Sequence, residues 1–427
     1  MSDVVLSWQN DHRLLVASGA REYVWGEPDA HRPRPEKLIG TLGDRDTGPW
    51  GTVAYGDALD AAPALAQRAD TGDERDLVRL VYIDPPYNTG KQFGDYADAM
   101  RDNAWLSMLR DRIAAVRSVL HPHASIWVHL DDSQAYRARS MLDQLLGAEA
   151  YVATVIWEKR TTRESRTAFS VSHDTILVYA PCGPKAWRAH RHTEPVDPAE
   201  LRNRDNDPRG PWADAPFTAP GYRAGQQYVI VNPAGNHLTP PRGRSWFATE
   251  PVYRSLLADD RIWFPRNGAG RPRMKRFAHE VGGLTPSTIW TAGDVGTNDD
   301  AKRHLLNLFD HERVFSTPKP EELLGRIIHI ATDPGDLVVD LFAGSGTTAT
   351  AAHKMRRRWF VVERIAETIE QTLVPRLARV VRDQDQLGIT KREQWAGGGG
   401  FEVVRCAPRT GRAPSISAAT MGLTVGE

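Results

Sequence analysis

Cysteine is nearly absent from this chain: Cys182 and Cys406 are the only two among 427 residues. Two thiols exclude a disulfide-built scaffold and a cysteine-ligated zinc centre, and such scarcity suits a reducing compartment. Net charge is missing too, since 54 basic side chains meet 54 acidic ones. A chain that gripped a polyanion over its whole surface would carry a basic excess, so any basic face here has to be local. No apolar run reaches the ~18 residues that a bilayer crossing takes. The opening "MSDVVLSWQNDHRLL" is broken by polar residues and does not read as a signal peptide. The expectation is a soluble, cytoplasmic protein with no membrane partner. No Gly-x-x-x-x-Gly-Lys-Ser/Thr stretch occurs, which argues against intrinsic ATPase chemistry. No segment of about 20 to 50 residues recurs as a repeat.

What the chain does carry is a rhythm of short apolar runs and amphipathic stretches. Residues 1–50 read as an irregular N-terminal extension, with "GEPDAHRPRPEK" dense in proline and charge. From Gly51 the pattern changes: "GTVAYGDALD" reads as a strand ending at Gly56 and Asp57, and "LVRLVYID" as the next. "WLSMLRDRIAAVRSVL" has apolar residues at helical spacing. "SIWVHL", "YVATVIWEK" and "DTILVYA" follow as strands, with a helix over 133–146. The rhythm stops near residue 181. It returns with "ELLGRIIHIA", the strand "LVVDLF", a glycine turn, a helix from about Thr347, the strand "WFVVE" and a helix to about Arg382. "GGGGFEVVRC" reads as a flexible joint before an edge strand, and residues 407–427 as disordered. Strands alternating with helices predict a layered α/β domain.

Two short stretches carry chemistry. In "VYIDPPYNTG" (81–90) Asp84 stands where a buried strand would emerge. Pro85 and Pro86 fix two φ angles and remove two donors, which leaves carbonyls displayed on a stiff backbone. Tyr87 adds a flat face beside the carboxylate. On its own, an ordinary proline-bearing turn accounts for the same letters. In "VVDLFAGSGTTATAA" (338–352) an apolar strand runs through Asp340, Phe342, Ala343, Gly344, Ser345 and Gly346 into a helix at Thr347. Glycines let the backbone turn tightly and approach a ligand, and the helix start offers free N–H groups to an anion. Glu363 ends the next strand about twenty residues on, where an acid holds ribose hydroxyls in nucleoside-binding sheets. A lone Gly-x-Gly turn fits a plain strand-to-helix connection equally well.

Together, "DPPY" and "FAGSGT" resemble an amino-group DNA methyltransferase that uses S-adenosylmethionine. The catalytic tetrapeptide precedes the cofactor glycines, with a long segment between them, and that order resembles the β class. "IDPPYNTG", "VHLDD", "SHDTILVYA", "STPKPEELLGRII" and "GGGGFEVV" are similar to the modification subunits of type III restriction systems and their relatives. The resemblance covers roughly residues 50–180 and 285–405. It implies a Rossmann-like methyltransferase fold: a seven-stranded, mostly parallel sheet with permuted motif order and an inserted target-recognition domain. The expected boundaries are 1–50 for the extension, 51–182 for the catalytic half and 183–300 for target recognition. The cofactor half follows at 301–382 and a C-terminal extension at 383–427.

The same resemblance implies roles. Asp84, Pro85, Pro86 and Tyr87 form the target pocket. Asp57 lies near the cofactor's adenine, although a turn residue reads the same way. Lys319 and Pro320 of "TPKP" pack near its methionine end, although proline also favours a helix start. Asp340, Phe342, Ala343, Gly344, Ser345, Gly346, Thr347 and Glu363 complete the cofactor site, with no metal.

The chemistry explains the residue types. An exocyclic amine is a poor nucleophile because its lone pair is delocalised into the ring. Acceptors for its protons, here the Asp84 carboxylate and the Pro85 carbonyl, favour a pyramidal nitrogen. The base has to leave the stack, at a few kcal/mol, and stacking on Tyr87 offsets about 1–3 kcal/mol of that.

For the DNA, Lys159, Arg160, Arg163 and Arg166 sit in a stretch with few apolar anchors (159–172), a contacting loop or a solvated one. Arg261, Arg266, Arg271, Arg273, Lys275 and Arg276 are interleaved with aromatics in the middle segment and are the candidate readers of double-stranded DNA. His173 and Asp174 read as a structural pair, and Cys182 as inert. The expected reaction is methylation of adenine N6. Alternatives are cytosine N4, served by the same tetrapeptide, and a catalytically silent recognition subunit of a restriction or defence complex. A homodimer and a restriction or defence partner protein are the associations the resemblance implies.

Overall fold

The computed structural model describes residues 6–18, 22–26, 36–88, 100–196, 201–277, 280, 282–310, 315–408 and 415–425. The proline-rich stretch at 27–35 and tail residues 409–414 and 426–427 lie outside them. The chain divides into one unit of residues 1–192 with 287–427, and a second of 193–286.

Besides a separate antiparallel pair of Leu14–Ala17 with Tyr23–Gly26, in the stretch read as irregular, the first unit is built on one ten-stranded sheet. Its strands in chain order are β1 (Glu36–Gly43), β2 (Trp50–Tyr55), β3 (Val78–Ile83), β4 (Leu120–Leu130), β5 (Tyr151–Glu158), β6 (His173–Tyr179), β7 (Ile289–Trp290), β8 (Leu337–Asp340), β9 (Arg358–Glu363) and β10 (Gly400–Cys406). Their spatial order is β7-β5-β6-β4-β3-β8-β9-β2-β10-β1. The run from β4 through β3, β8, β9 and β2 to β10 is parallel throughout. The helices that matter below are α1 (Ala58–Ala69), α2 (Asp102–Val116), α3 (Asp132–Leu146), α4 (Asn298–Leu308), α5 (Glu321–Ala331) and α6 (Thr347–Lys354).

Parallel strands covered on both faces read as unbroken apolar runs. All six residues of β3, "VRLVYI", are buried. Successive side chains point to opposite faces. Leu80 and Tyr82 therefore join one core with α5 and α6, whereas Val81 and Ile83 join the other with α1, α2 and α3. Asp57 caps α1 by accepting from Leu59 N, and Pro320 precedes the first turn of α5.

Ten strands stand where seven are expected. The additions lie towards the edges. β1 falls in the stretch read as irregular, because "EKLIGTLG" alternates weakly and buries only Gly40 and Leu42. It gains its partner by antiparallel pairing with β10. The tail is a further correction. Thr424 and Thr41 exchange two backbone hydrogen bonds of 2.8 and 2.9 Å. Ile416, Ala418, Met421 and Leu423 are buried, so residues 415–425 are ordered rather than disordered. Their irregularly spaced apolar residues give no periodicity to detect.

The second unit has its own core of Phe217, Ile230, Trp246, Tyr253, Ile262 and Phe264. A three-stranded sheet joins Trp212–Pro216, Arg273–Phe277 and Ile262–Trp263. Thr218–Pro220 pairs with Arg244–Trp246, and Ile230–Val231 with His237–Leu238. This unit is shorter than the 183–300 segment of the sequence reading. Ile289–Trp290 pairs with β5, and α4 stays with the first unit.

Gly51 of β2 has the Trp359 indole directly over its Cα, and an added Cβ would overlap that ring. Trp359 is buried, so it cannot swing into solvent. Gly51→Ala is expected to destabilise by at least about 1–3 kcal/mol, the usual cost of overpacking. Urea unfolding reads this as a lowered midpoint with unchanged slope, and an unchanged midpoint contradicts the packing described.

Candidate active site

Four neighbouring parallel strands, β3, β8, β9 and β2, each lead into an acid. Asp84 follows β3, Asp340 ends β8, Glu363 ends β9, and Asp57 comes two residues after β2. Carboxyl ends of strands are where open α/β sheets bind ligands. All four acids line one cleft of about 300 Å³, together with Tyr87 and Lys319.

Asp84 is held from two sides. Tyr87 Oη donates to its Oδ1 at 2.7 Å, and Lys319 Nζ donates to its Oδ2 at 2.6 Å. The same ammonium lies 5.2 Å from the Tyr87 ring centroid. Trp105 Nε1 donates to the Pro86 carbonyl at 2.5 Å, whereas no donor among the described residues reaches that of Pro85. The turn is thus pinned at Pro86 and open at Pro85. Lys319 therefore meets the candidate catalytic carboxylate, a contact the expectation for "TPKP" does not include.

Beneath Tyr87 lies a buried relay that sequence reasoning misses. The His129 ring stacks against Tyr87 with centroids 6.2 Å apart and planes 30° apart. Tyr82 Oη sits 2.8 Å from His129 Nδ1, and Asp174 Oδ2 3.3 Å from Nε2. Burial, with the Lys319 charge, lowers the His129 pKa and favours the neutral ring. A neutral ring with Asp174 on Nε2 carries its proton there and accepts from Tyr82 at Nδ1. Lys159 Nζ donates to Asp174 Oδ1 at 2.6 Å. Burial alone would raise Asp174, but the His129 hydrogen bond and the Lys159 and Lys319 charges outweigh it and hold the acid down at about 2. His173 and Asp174 are therefore not a pair: His173 Nε2 meets Asp132 at 3.2 Å while Asp174 faces the cleft. His129 is hidden from sequence reading inside the apolar alternation of β4.

On the neighbouring strands the glycine turn is built around Glu363. Its Oε2 accepts from Gly344 N at 2.9 Å, and its Oε1 from Arg364 N and Ile365 N at 2.8 and 2.7 Å. Gly344 and Gly346 have φ of 49° and 78°, the left-handed region that favours glycine. Ala343 N donates to Val362 O at 2.8 Å. Asp340 accepts from Phe342 N at 2.9 Å and from Thr348 Oγ1 at 2.5 Å. Thr347 Oγ1 donates to Lys319 O at 3.1 Å, tying the turn to the Lys319–Pro320 segment. Arg376 reaches Ser345 O and Thr347 Oγ1 and also pairs with buried Glu321. Glu321 and Asp385, with His304 beside them, would suit a cation, but the Lys354 ammonium fills that position with bonds of 2.8 and 2.9 Å. Asp57 is gripped by Arg112 at 2.9 Å, with Arg364 at 3.7 Å, so it is already engaged at the cleft edge.

The expected DNA-contacting side chains fare unequally. Lys159 is bound to Asp174 in the cleft instead of waving in a loop. Arg160 reaches Ser170 Oγ at 3.4 Å, Arg166 pairs with Glu164, and Arg163 is exposed. In the second unit Lys275 is a correction: it is 1% exposed and meets Asp205, Asp207 and Asp260, so it holds the fold together and cannot present its charge to a phosphate. Arg261 is spanned by Asp259 and Glu280, and Arg273 by Asp214. Arg266, Arg271 and Arg276 are exposed, Arg271 with one bond to the Thr239 carbonyl.

A family model described as DNA methylase, for N6 and N4 methyltransferases, matches residues 78–373. The chain belongs to the N6/N4 DNA methylase family. The chain is 47% identical over 301 residues to type II methyltransferase M1.MboII of Moraxella bovis, covering 70% of this chain and 88% of that one. It is 29% identical over 342 residues to the type III restriction-modification enzyme StyLTI Mod subunit of Salmonella typhimurium, covering 71% of this chain. It spans only 51% of that relative's length and 61% of that of type II methyltransferase M.EcaI of Enterobacter cloacae. Among solved structures, PvuII DNA methyltransferase (cytosine-N4-specific) is 13% identical, with a TM-score of 0.42 over 82% of this chain and 93% of the other. That score is too low to add weight. No helix among the described residues is long and apolar enough to cross a membrane.

Asp340 makes the stability of the fold depend on pH. Burial, outweighing the bonds from Thr348 and Phe342, pushes its pKa up to about 7. A raised acid favours folding fully below its unfolded pKa of about 3.9, and that contribution is lost as pH rises towards 7. Asp340→Asn is therefore expected to gain stability relative to the wild type between pH 4 and 7, by up to about 4 kcal/mol. Urea melts at both pH values measure this, and a difference that does not change with pH contradicts it.

Proposed function

We propose that the protein transfers a methyl group from S-adenosylmethionine to the N6 amine of adenine in duplex DNA, after the base has left the stack. One observation carries the reading: the Asp84 carboxylate and the open Pro85 carbonyl share a cleft with the Glu363-centred glycine turn. When bound, S-adenosylmethionine supplies an electrophilic methyl group. The residues present fit it. Glu363 has three backbone donors on about four lone-pair sites, which leaves room for a ribose hydroxyl. Left-handed Gly344 and Gly346 let the backbone come close. Asp340, Phe342, Ala343, Ser345 and Thr347 complete that wall, and Lys319 and Asp57 border it.

Asp84 accepts one proton of the target amine and the Pro85 carbonyl the other, which frees the nitrogen lone pair. Lys319 and Tyr87 keep the carboxylate from rotating away. Two hydrogen bonds on Asp84 leave lone pairs for the incoming N–H. Tyr87, backed by His129, presents a fixed face to the base, and stacking contributes about 1–3 kcal/mol. A purine covers more of that face than cytosine does, which favours adenine. Asp84 is placed to take the proton the amine sheds. The second unit selects the sequence. The Salmonella relative is a Mod subunit by name, and a restriction partner on a separate chain is consistent with that likeness.

Asp84→Ala is expected to keep cofactor affinity and lose transfer of tritiated methyl to DNA by at least about a hundredfold, the low end of general acid–base contributions. Glu363→Ala is expected to weaken cofactor binding by about 1.5–3 kcal/mol, the worth of charge-assisted bonds. Isothermal titration and the methyl assay test both. Near-wild-type turnover in the first variant, or unchanged affinity in the second, contradicts the assignment.

A further inference from the structure

Charge in the second unit is mostly spent inside it. Arg254 pairs with Glu250, and Arg261, Arg273 and Lys275 are bound to acids. Arg266, Arg271 and Arg276 also reach solvent, but exposed basic and aromatic side chains come together on the turn after the Thr218–Pro220 strand and just before the strand paired with it. Tyr222 is 80% exposed, and Arg223 and Arg242 are exposed with no ion pair among the described residues.

This turn is held in place from below. Ser245 is fully buried, and its Oγ accepts from Arg223 N and Gln227 Nε2, both at 2.7 Å, and donates to Gly221 O at 2.9 Å. A hydroxyl has one proton and two lone pairs, so Ser245 is saturated. Gly221 N donates to Gly243 O, and Trp246 N to Gln226 O, both at 3.0 Å. Gly221, Gly225 and Gly243 all have φ near 76°. Beneath lies buried Trp246, whose Nε1 donates to Tyr228 O at 2.7 Å. The result is an exposed tyrosine and an exposed arginine on a backbone with little freedom. Preorganisation of that kind lowers the ordering cost of binding.

We propose that the Tyr222–Arg223 turn, pinned by Ser245, is the sequence-reading element of the second unit, with Arg223 addressing the O6/N7 edge of a guanine and Arg242 a backbone phosphate. The inference rests on the DNA-directed function proposed above. An unpaired guanidinium presents the planar fork that guanine's two acceptors match, and such a pair is the commonest specific contact. Tyr222 beside it offers a ring to an unstacked or adjacent base. Arg261, Arg273 and Lys275 are committed to carboxylates and cannot read bases without breaking those pairs. Arg223 is exposed, so its replacement leaves the fold intact.

The test is selection by binding from duplexes of randomised sequence, with the full chain and cofactor, for the wild type, Arg223→Ala, Arg223→Lys, Arg242→Ala and Ser245→Ala. Both Arg223 variants are expected to lose preference for guanine at one position, on the order of tenfold, while other positions keep theirs. Arg242→Ala is expected to weaken all sequences alike and to lower the salt slope by about one. Ser245→Ala is expected to blur the same position as Arg223. Unchanged selection in Arg223→Ala, or uniform weakening with a reduced salt slope, overturns the assignment. Methylation of the selected duplex is measured separately: its failure with wild-type protein counts against the transferase reading and leaves the outcome for Arg223 readable.

Discussion

The ion pair between Asp84 and Lys319 joins two parts of the chain that lie 235 residues apart in sequence. Everything at the site depends on it and on the sheet that makes it feasible. β3 and β8 are neighbours and parallel, so the turn at Asp84 and the turn at Asp340–Gly346 emerge side by side. Lys319 comes just before α5, whose apolar face is buried on the same side of the sheet. Its ammonium thus arrives at the carboxylate because a helix is docked, and its carbonyl meets Thr347 of the glycine turn. One segment therefore touches both halves of the chemistry.

Burying this many charges is expensive unless each is paired. The structure meets that condition repeatedly. Behind the glycine turn, Arg376, Glu321, Lys354 and Asp385 form a chain of ion pairs in which all four side chains are nearly or fully buried. Beneath Tyr87, the Lys159–Asp174 ion pair continues through hydrogen bonds to His129 and Tyr82 as a second network. Both sit directly behind residues that face the cleft, Ser345 and Thr347 in one case and Tyr87 in the other. Such networks fix geometry, and removing one member leaves its partner buried and unsatisfied. Their value is in holding the Asp84 turn and the glycine turn in register.

Sequence patterns reveal the site unevenly, for physical reasons. Asp84 and Glu363 are legible because each ends a short apolar run, and an acid there is unusual enough to notice. Gly344 and Gly346 are legible because left-handed backbone favours glycine. Lys319 is visible as a letter, but its partner is not, since nothing local in "TPKP" points to residue 84. His129 is invisible, because inside an apolar strand a buried polar residue looks like a break in the pattern, and Asp174 is visible only beside the wrong histidine. Composition misleads most in the second unit. The run from Arg261 to Arg276 looks basic in one dimension, yet Asp205, Asp207, Asp214, Asp259, Asp260 and Glu280 neutralise much of it in three. What distinguishes Tyr222 and Arg223 is not a local pattern but what Ser245 does to the backbone beneath them. β1 and the ordered tail escape sequence reading because edge pairing follows from a partner strand and not from their own periodicity.

The central claim is that the Asp84–Pro85 pair activates an exocyclic amine. DNA incubated with the protein and S-adenosylmethionine, digested to nucleosides and resolved by mass spectrometry, tests it most directly. The account predicts a new methyl on an exocyclic nitrogen, as N6-methyldeoxyadenosine. N4-methyldeoxycytidine would contradict the choice of base, and 5-methyldeoxycytidine or no methylated nucleoside would contradict the amine-activating site itself.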